Sequence, residues 1–451
     1  MNLSSDIALL GWIPFILLLF GLLPPRRAVI VAFIGAWLFL PIAGYSIEGL
    51  PDFTKLTATS YGAMLGVVLF DAARLIRFRP SWIDLPMFVF CLAPMATSLL
   101  NGLGVYDGVS AIAASVITWG LPYFIGRLYF SDLAGLRELA IGIFVGGLVY
   151  LPLCLYEIRM SPQLHNMIYG YHQHSFAQTK RFGGWRPMVF MQHGLAVGLW
   201  MTAASLTGIW LWHSGSLRRI FNVPTGWLCA AVFVTTLMCK SMNAIVALIL
   251  GVSSLWITRL THLRLGLVCI LLIPPTYMFT RVSGIWSGAH LVRLTSDVIN
   301  EERAQSINAR LQYEELLITK ALQRPAFGWG GWGRNRVLDE RGKDLTVTDG
   351  LWIITFGKTG LVGLCALTAT FLVPLTLLLW RWPIGMWYHP ATAPAAVVAV
   401  LLGLFMVDSL LNAMVNPIFT LGAGGLGGMI ADDLRGAGAT QRGNPTGRVK
   451  C

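Results

Sequence analysis

The chain has 451 residues, of which 55% are hydrophobic and only 12% are charged. A soluble globular domain carries about 25% charged residues, so this composition excludes a soluble protein and predicts an integral membrane protein. We assign the formal net charge of +12 to cytoplasmic anchoring and to a cationic external surface, and we expect no nucleic-acid partner.

Apolar runs close to the length that crosses a bilayer, about 17 to 25 residues, recur along the whole chain. A secretory signal would instead give one short run before a polar domain. The predicted fold class is therefore an all-α polytopic membrane protein with about 12 to 14 transmembrane helices. The spans are predicted at residues 7–23, 28–44, 58–73, 83–100, 109–126, 136–156, 193–213, 225–238, 243–258, 264–280, 350–380, 391–407 and 410–430.

Arginines mark alternate connections between these spans, whereas the intervening short connections hold only Lys55 and Lys240. The positive-inside rule places the arginine-bearing connections in the cytoplasm. The carboxyl end is then inside and the amino end outside. The chain divides into N-terminal spans (1–156), an external segment (157–192), central spans (193–280), a long external loop (281–349), C-terminal spans (350–430) and a cytoplasmic tail (431–451).

The first external segment ends in "KRFGGWRPMVFMQHG", where glycines alternate with Arg181, Trp185 and Arg186 before His193 opens a span. Guanidinium groups match phosphate oxygens in a bidentate way, so a glycine-rich stretch that carries arginines suggests an anionic ligand. The alternative is interfacial anchoring, in which Trp and Arg side chains sit at the depth of the lipid headgroups.

The long external loop contains an amphipathic helix that we expect to end at Pro325. In "SINARLQYEELLITKALQRP", apolar residues recur at helical spacing, while Arg310, Glu314 and the preceding Arg303 lie off that stripe. We therefore expect a helix on the external membrane surface with its charged side chains exposed.

A glycine-rich stretch, "FGWGGWGRNR", follows this helix. It lacks the Gly-Lys-Ser/Thr ending of a nucleotide phosphate-binding loop. Its glycines allow close backbone approach and unusual dihedral angles. We expect a mobile loop over a bulky substrate, with Trp329 and Trp332 offering faces to a sugar or to the bilayer surface and Arg334 meeting phosphate.

Three motifs in this order resemble the O-antigen ligase and Wzy-type polysaccharide polymerase superfamily. They are "RFGGWRPMVFMQHGLA", a long external loop with the pattern "R…E…P..G.G…G", and the span opening "TDGLWIITFGKTGLVGL". The resemblance covers roughly residues 175–365 by motif and the rest of the chain by topology. It implies a membrane fold of the GT-C type with a periplasmic loop that contains amphipathic helices.

The resemblance also implies an activity, which is transfer of glycans from an undecaprenyl-diphosphate carrier at the periplasmic face of the bacterial inner membrane. A flippase and a chain-length regulator would be its protein partners. No cofactor or metal is expected, because the external loops contain no Asp-x-Asp to hold a divalent ion. Carried over by position, Arg310 matches the essential loop arginine and Arg181 the arginine before the seventh span, with Arg186 as an alternative.

Asp349 stands where many O-antigen ligases place a histidine. Its carboxylate would accept the proton of an attacking sugar hydroxyl as a general base, or it would cap the first turn of the following helix, and the two roles are compatible. Lys358 lies about 13 Å further along that helix. A lysine at this depth faces a cavity, where it would touch the diphosphate, snorkels to the surface, or pairs with Asp408.

Two further residues are candidates for substrate binding. His193 belongs to the family-like motif, but its imidazole also suits a helix cap or a bound water. Glu314 follows Arg310 by one helical turn, so it either orients the Arg310 guanidinium or forms a surface pair worth tenths of a kcal/mol.

The predicted function is polymerisation of lipid-diphosphate-linked repeat units into an exopolysaccharide or O-antigen chain. Arginines would neutralise the leaving diphosphate, and a single displacement would invert the anomeric carbon. A ligase that moves the finished glycan onto lipid A core or protein is the alternative. A lipid-linked glycan flippase or transporter is the second alternative, although no repeat between the two halves of the chain supports it.

Overall fold

The computed structural model describes residues 3–46, 51–181, 183–220, 222–298 and 301–442, and it is predominantly helical. The side chain of Arg303 and the predicted cytoplasmic tail after Arg442 lie outside the described residues. The helices are α1 Leu3–Leu10, α2 Trp12–Leu22, α3 Pro25–Phe39, α4 Lys55–Phe70, α5 Ala72–Ile76, α6 Leu85–Leu100, α7 Val105–Ser115, α8 Leu121–Tyr129, α9 Leu133–Met160, α10 Leu164–Tyr169, α11 Gly194–His213, α12 Thr225–Met238, α13 Met242–Thr261, α14 Leu265–Val282, α15 Ala289–Val298, α16 Glu301–Leu322, α17 Leu351–Arg381, α18 Ala393–Asp408 and α19 Pro417–Arg442.

Among the described residues, three antiparallel hairpins of two-residue strands connect some of the helices. They are β1 Gly44–Tyr45 with β2 Phe53–Thr54, β3 Lys180–Arg181 with β4 Gly184–Trp185, and β5 Arg219–Ile220 with β6 Val223–Pro224. Short 3-10 helices lie at Trp82–Asp84, Phe176–Thr179 and Ile384–Trp387, and a π-helical turn lies at Val116–Gly120.

Within the described residues, eight helical segments are long and apolar enough to cross a membrane, and α4, α12 and α18 are shorter apolar helices. The prediction of an all-α polytopic membrane protein is confirmed, while the count of about 12 to 14 spans stays a prediction. The eight segments are Leu3–Leu22, Trp82–Leu100, Val105–Tyr129, Leu133–Met160, Gly194–His213, Met242–Thr261, Leu265–Val282 and Leu351–Arg381.

The last predicted span, at residues 410–430, starts too early. Helix α19 begins only at Pro417, whose ring lacks the amide hydrogen that a helix interior requires. Asn416 accepts the amide hydrogen of Ile418 on its side-chain oxygen at 2.9 Å, which marks this start. Residues 409–416 therefore form a non-helical segment, which we call the 409–416 segment.

The arginine-bearing connections meet on one face of the helix bundle. Arg26 pairs with Asp132, and this ion pair joins the first and fifth predicted connections. Arg435 in α19 donates to the carbonyl oxygen of Pro80 at 2.8 Å. These contacts agree with the sequence-based grouping of the arginines on a common side, which we call the arginine face.

The two long segments predicted to be external meet on the opposite face, which we call the site face. Arg181 Nη1 lies 3.6 Å from Glu302 Oε1, and this ion pair joins the 157–192 segment to α16. Asp6 accepts a hydrogen bond from the hydroxyl of Tyr45, so α1 begins on the site face as well.

Helices α11 and α18 form the centre of the bundle, where almost every side chain is buried. Small residues let neighbouring backbones approach closely, which is the usual basis of helix association in membranes. A Cβ on Gly424 of α19 would collide with the Tyr123 carbonyl oxygen of α8, and a Cβ on Gly126 would collide with that of Leu421. This close packing fixes the frame on which the loops of the site face rest.

Candidate functional site

The site face is organised around the start of α11. Its N-cap residue, His193, accepts the amide hydrogen of Leu195 on Nδ1 at 3.1 Å, so the capping role considered for this imidazole is present. The buried Arg186 lies across the first turn, where a Cβ on Gly194 would come within 2.6 Å of Arg186 Cγ. A glycine at this position therefore gives the arginine room to lie at the positive end of the helix dipole.

His193 lies within electrostatic reach of the three arginines that the sequence singled out. Burial is the main cause that lowers the pKa of His193 to about 3, and the charges of Arg186, His174, Arg310 and Arg181 lower it further. The rings of His174 and His193 contact each other edge to face, with centroids 4.7 Å apart. The imidazole is therefore neutral at pH 7, and the positive charges of all three arginines act on it.

These arginines come from two distant stretches of the sequence, and the charges of all three act on His193. We call Arg181, Arg186 and Arg310 the arginine cluster. Two acidic side chains offset part of its charge: Glu302 beside Arg181, and Asp349, whose Oδ2 lies 3.2 Å from Arg310 Nε.

Asp349 takes part in an ion pair and not in a helix cap. Helix α17 has Gly350 as its N-cap residue, without a side-chain hydrogen bond. Its first amide hydrogens go instead to backbone carbonyls of the 409–416 segment, from Leu351 to Asn412 at 3.0 Å and from Trp352 to Ser409 at 3.4 Å. The capping interpretation of Asp349 is wrong because another segment of backbone already fills that role.

Glu314 belongs to a buried network and does not orient Arg310. Its carboxylate accepts hydrogen bonds from Arg281 Nε at 2.6 Å, from the Tyr277 hydroxyl at 3.1 Å and from Trp352 Nε1 at 3.3 Å. Burial raises the pKa of Glu314, and the hydrogen bond from Arg281 opposes that rise. Glu314 therefore fastens α16 onto α14 and α17. The prediction that Glu314 forms an exposed surface pair with Arg310 is also wrong, because Glu314 and its ion-pair partner Arg281 are buried.

The glycine-rich stretch after α16 docks onto a break in α17. Gly360 has φ +64 and ψ −163, which interrupts the helix. The amide of Leu361 donates to the Pro325 carbonyl at 2.7 Å, and the amide of Gly330 donates to the Lys358 carbonyl at 2.9 Å. Backbone groups freed by the break are thus satisfied by the loop, as irregular backbone at membrane depth requires.

The close approach of the loop to α17 leaves no room for a Cβ atom at two glycine positions. Gly328 has φ +68, and a Cβ there would lie 2.6 Å from the Lys358 carbonyl carbon. A Cβ on Gly360 would lie 2.5 Å from the Phe327 amide nitrogen. Thr97 and Asn101 of the site face hold the loop from the other side, at 2.7 Å to the Phe327 carbonyl and 3.0 Å to the Gly328 carbonyl. The expected mobile loop is therefore held down by backbone contacts.

Lys358 lines a cavity of about 360 Å³ beside this break. Within the described residues its ammonium group has no hydrogen-bond or ion-pair partner, and its proposed partner Asp408 instead accepts from Asn412 Nδ2 at 2.7 Å. The pairing alternative is therefore wrong, and the cavity alternative describes the structure. Residues that line the same cavity include Thr97, Trp119, Gly330, Thr359 and Val415.

A second cavity of about 580 Å³ adjoins the first, and both are lined by Ala413 and Val415 of the 409–416 segment. Lys55 lies in its wall, where Nζ donates to the Trp37 carbonyl at 3.3 Å and lies 4.9 Å from the centroid of the Trp37 ring. Gln192, next to His193, lines the same cavity. The arginine cluster and the two cavities therefore share one region of the site face.

The aromatic residues of the glycine-rich stretch differ in availability. Trp329 is occupied, because its indole donates to the Lys320 carbonyl at 2.7 Å and its ring lies under the Lys320 and Arg324 cations at 3.8 and 4.5 Å. Trp332 is 84% exposed and donates to Asp107 at 2.6 Å. Arg334 is exposed on the loop surface. Trp332 is thus the tryptophan of this stretch that offers a free face.

Sequence reasoning missed two basic side chains near the cluster. A Cβ on Gly184 in β4 would collide with Lys240 Nζ, so that ammonium lies against the β3–β4 hairpin. Lys55 was likewise left outside the site. Each of these two lysines is the single basic residue of a short connection on the external side, and this was the available signal. Arg281 was identified only as the first residue of the long loop, and neither its burial, at 2% exposed, nor its pairing with Glu314 was predicted.

No protein-family model matches this chain, and no curated protein sequence matches it significantly.

Proposed function

We propose that the chain is a membrane glycosyltransferase that joins undecaprenyl-diphosphate-linked oligosaccharide units into a surface polysaccharide. The observation that carries the proposal is the arginine cluster around His193, next to the Arg310–Asp349 ion pair. A diphosphate leaving group carries two or three negative charges, and preorganised cations are the usual means to stabilise such a group. The family resemblance supplies the reaction class.

In the proposed reaction a hydroxyl oxygen of the acceptor sugar attacks the anomeric carbon of the donor sugar. The new glycosidic bond forms as the bond between that carbon and the phosphate oxygen breaks. Undecaprenyl diphosphate leaves with the electron pair of that bond, and the arginine cluster stabilises the negative charge of its diphosphate. The hydroxyl proton passes to the Asp349 carboxylate. Displacement from one side inverts the anomeric configuration.

The two adjoining cavities suit a transfer between two saccharides. Each is within the range of about 300–1,000 Å³ typical of ligand sites. The cavity of about 580 Å³ offers Trp37, Asp52, Thr54 and Gln192, an aromatic and hydrogen-bonding set that suits sugar hydroxyls. The Lys358 cavity holds a cation without a partner among the described side chains, in a mainly apolar wall. This arrangement suits a phosphate next to a lipid chain.

The test is an in vitro reaction of the purified full-length protein with a lipid-diphosphate-linked oligosaccharide in detergent. A ladder of product lengths with inverted linkages supports the polymerase. A single transfer to lipid A core or to a peptide supports the ligase instead. Movement of the carrier across proteoliposomes without new glycosidic bonds supports the flippase and overturns the enzyme proposal.

Arg310→Ala should abolish the ladder, whereas Arg341→Ala is the matched control. Arg341 lies on the same loop, is exposed, and has no role in the proposed chemistry. An Arg341→Ala protein that loses activity as fully as Arg310→Ala would show that general loop charge, and not the cluster, drives the reaction.

A further inference from the structure

A second basic cavity lies on the arginine face, on the other side of the bundle from the arginine cluster. It has a volume of about 360 Å³ and lies between α5, α8, α19 and the chain after α5. Its wall contains two aspartates, Asp71 and Asp432, against five arginines. The arginines are Arg74, Arg77, Arg79, Arg127 and Arg435.

Three of these arginines have acidic partners and two do not. Arg74 pairs with Asp71 at 2.9 Å, and Arg435 pairs with Asp432 at 3.4 Å. Arg127 pairs with Asp84 at 2.8 Å from the neighbouring wall. In the described part of the chain, the guanidinium groups of Arg77 and Arg79 form no hydrogen bond or ion pair, so the cavity keeps an excess of positive charge.

An apolar cavity of about 550 Å³ continues from the basic one. Phe78 lines both, and its ring contacts Phe124 edge to face at 4.8 Å and lies 5.5 Å from the Arg127 guanidinium. Most of its lining is hydrocarbon or aromatic, and its polar groups belong to Ser81, Asp84 and Tyr123. The residues at its outer wall, Trp82, Leu85 and Phe88, are exposed by 56%, 58% and 62%.

We infer that these joined cavities form a binding site for an anionic phospholipid of the bilayer. Its phosphate would lie among the arginines, where Arg77 and Arg79 supply free guanidinium donors. One acyl chain would lie in the apolar cavity and continue past Trp82, Leu85 and Phe88 into the membrane. Basic pockets between membrane helices on the cytoplasmic side bind acidic lipid headgroups in this way.

The apolar cavity favours a phospholipid over a soluble phosphate compound as the ligand. A soluble phosphate compound fits the arginines equally well but leaves the adjoining hydrocarbon cavity unused. A lipid fills both halves and also gains the free energy of burying its acyl chain, so it should bind more tightly than a soluble phosphate compound. The site is independent of the proposed glycosyl transfer, because none of its residues belongs to the site face.

Native mass spectrometry of the full-length protein in detergent tests this inference. The probes are dioleoyl phosphatidylglycerol, dioleoyl phosphatidylcholine and glycerol 3-phosphate at equal concentrations. Phosphatidylglycerol should bind most. The double variant Arg77→Gln/Arg79→Gln should lower its binding about thirtyfold, since two basic residues near a lipid headgroup together contribute about 2 kcal/mol. Leu121→Trp, which narrows the apolar cavity without changing charge, should lower it as well.

The matched control is Arg218→Gln/Arg219→Gln, which removes two exposed arginines from the same face. It should leave binding unchanged. Equal loss in the control, or equal binding of both lipids, would show a general surface attraction and overturn the inference. Binding of glycerol 3-phosphate at the level of phosphatidylglycerol, insensitive to Leu121→Trp, would reassign the cavity to a soluble phosphate. A single sharp elution peak for each variant excludes misfolding.

Discussion

Arg310 and Asp349 form an ion pair that links α16 to the residue just before α17, with 3.2 Å between Nε and Oδ2. Each side chain is about a third exposed, at 31% and 36%. The pair therefore holds a cation and a carboxylate together within reach of solvent. In the proposed reaction this places the proton acceptor beside the group that binds the leaving diphosphate.

Asp349→Asn should remove the proposed proton acceptor while keeping the shape of the side chain. We expect the rate constant kcat to fall by about 10²- to 10⁴-fold, the range of general acid–base catalysis, with little change in KM. The measurement is polymer formation at saturating lipid-linked substrate. An unchanged kcat would remove Asp349 from the mechanism.

Lys358→Met should weaken binding of the carrier while leaving the stability of the protein nearly unchanged. The ammonium group has no partner among the described side chains, so its loss should change the free energy of unfolding by less than about 0.5 kcal/mol. The KM for the carrier should rise about tenfold or more, because a charged hydrogen bond contributes roughly 1.5–3 kcal/mol. Lys358→Arg, which keeps the charge, should recover most of the affinity. Equal KM values for all three proteins would argue against phosphate in this cavity.

Gly360→Ala should destabilise the docked loop, because φ +64 and the nearby Phe327 amide leave no room for a Cβ. Strain of this kind costs about 1–3 kcal/mol. Gly331→Ala is the matched control, since nothing lies within 4 Å of a Cβ there. Thermal unfolding in detergent should show a lower Tm for the first variant alone. Similar Tm values would mean that the loop does not depend on the break.

Removing one partner of the buried Glu314–Arg281 pair should reduce stability by about 3–5 kcal/mol, because the other charge is left uncompensated. Glu314→Gln and Arg281→Met are the single variants. The double variant should recover part of the loss. Thermal unfolding measures all three, and a double variant as unstable as the sum of the singles would contradict the pairing.

His193 should make the protein less stable as the pH falls. Its pKa is about 3 in the folded protein, below the ordinary 6.5, so the unfolded chain binds the extra proton first. The stability from the neutral imidazole is complete above pH 6.5 and is lost progressively toward pH 3. His193→Gln should flatten the pH dependence of Tm between pH 6.5 and 4. Parallel curves for both proteins would contradict this.

The sequence was sufficient to predict most of the membrane helices, because hydrocarbon length and composition constrain each one locally. The span predicted at 225–238 coincides with α12, and the amphipathic helix ends at Leu322, close to Pro325. The arginines of the two external segments were also recognisable, since charge is conspicuous in an apolar chain.

Contacts between distant backbone segments were not predictable. The 409–416 segment reads as the start of a span, yet its carbonyls cap α17. Glu314 lies one turn from Arg310, but the buried Arg281 competes successfully for its carboxylate. The glycines suggested a flexible loop, whereas their close approach to α17 fastens it. In each case a tertiary contact decided between local alternatives.

The most direct test of the central claim is an electron cryomicroscopy structure of the full-length protein with undecaprenyl diphosphate bound. The account predicts that the diphosphate lies on the site face, with guanidinium nitrogens of Arg310 and of Arg181 or Arg186 within hydrogen-bond distance, about 3 Å, of its oxygens. A diphosphate bound on the arginine face, or on the site face away from all three arginines, would contradict it.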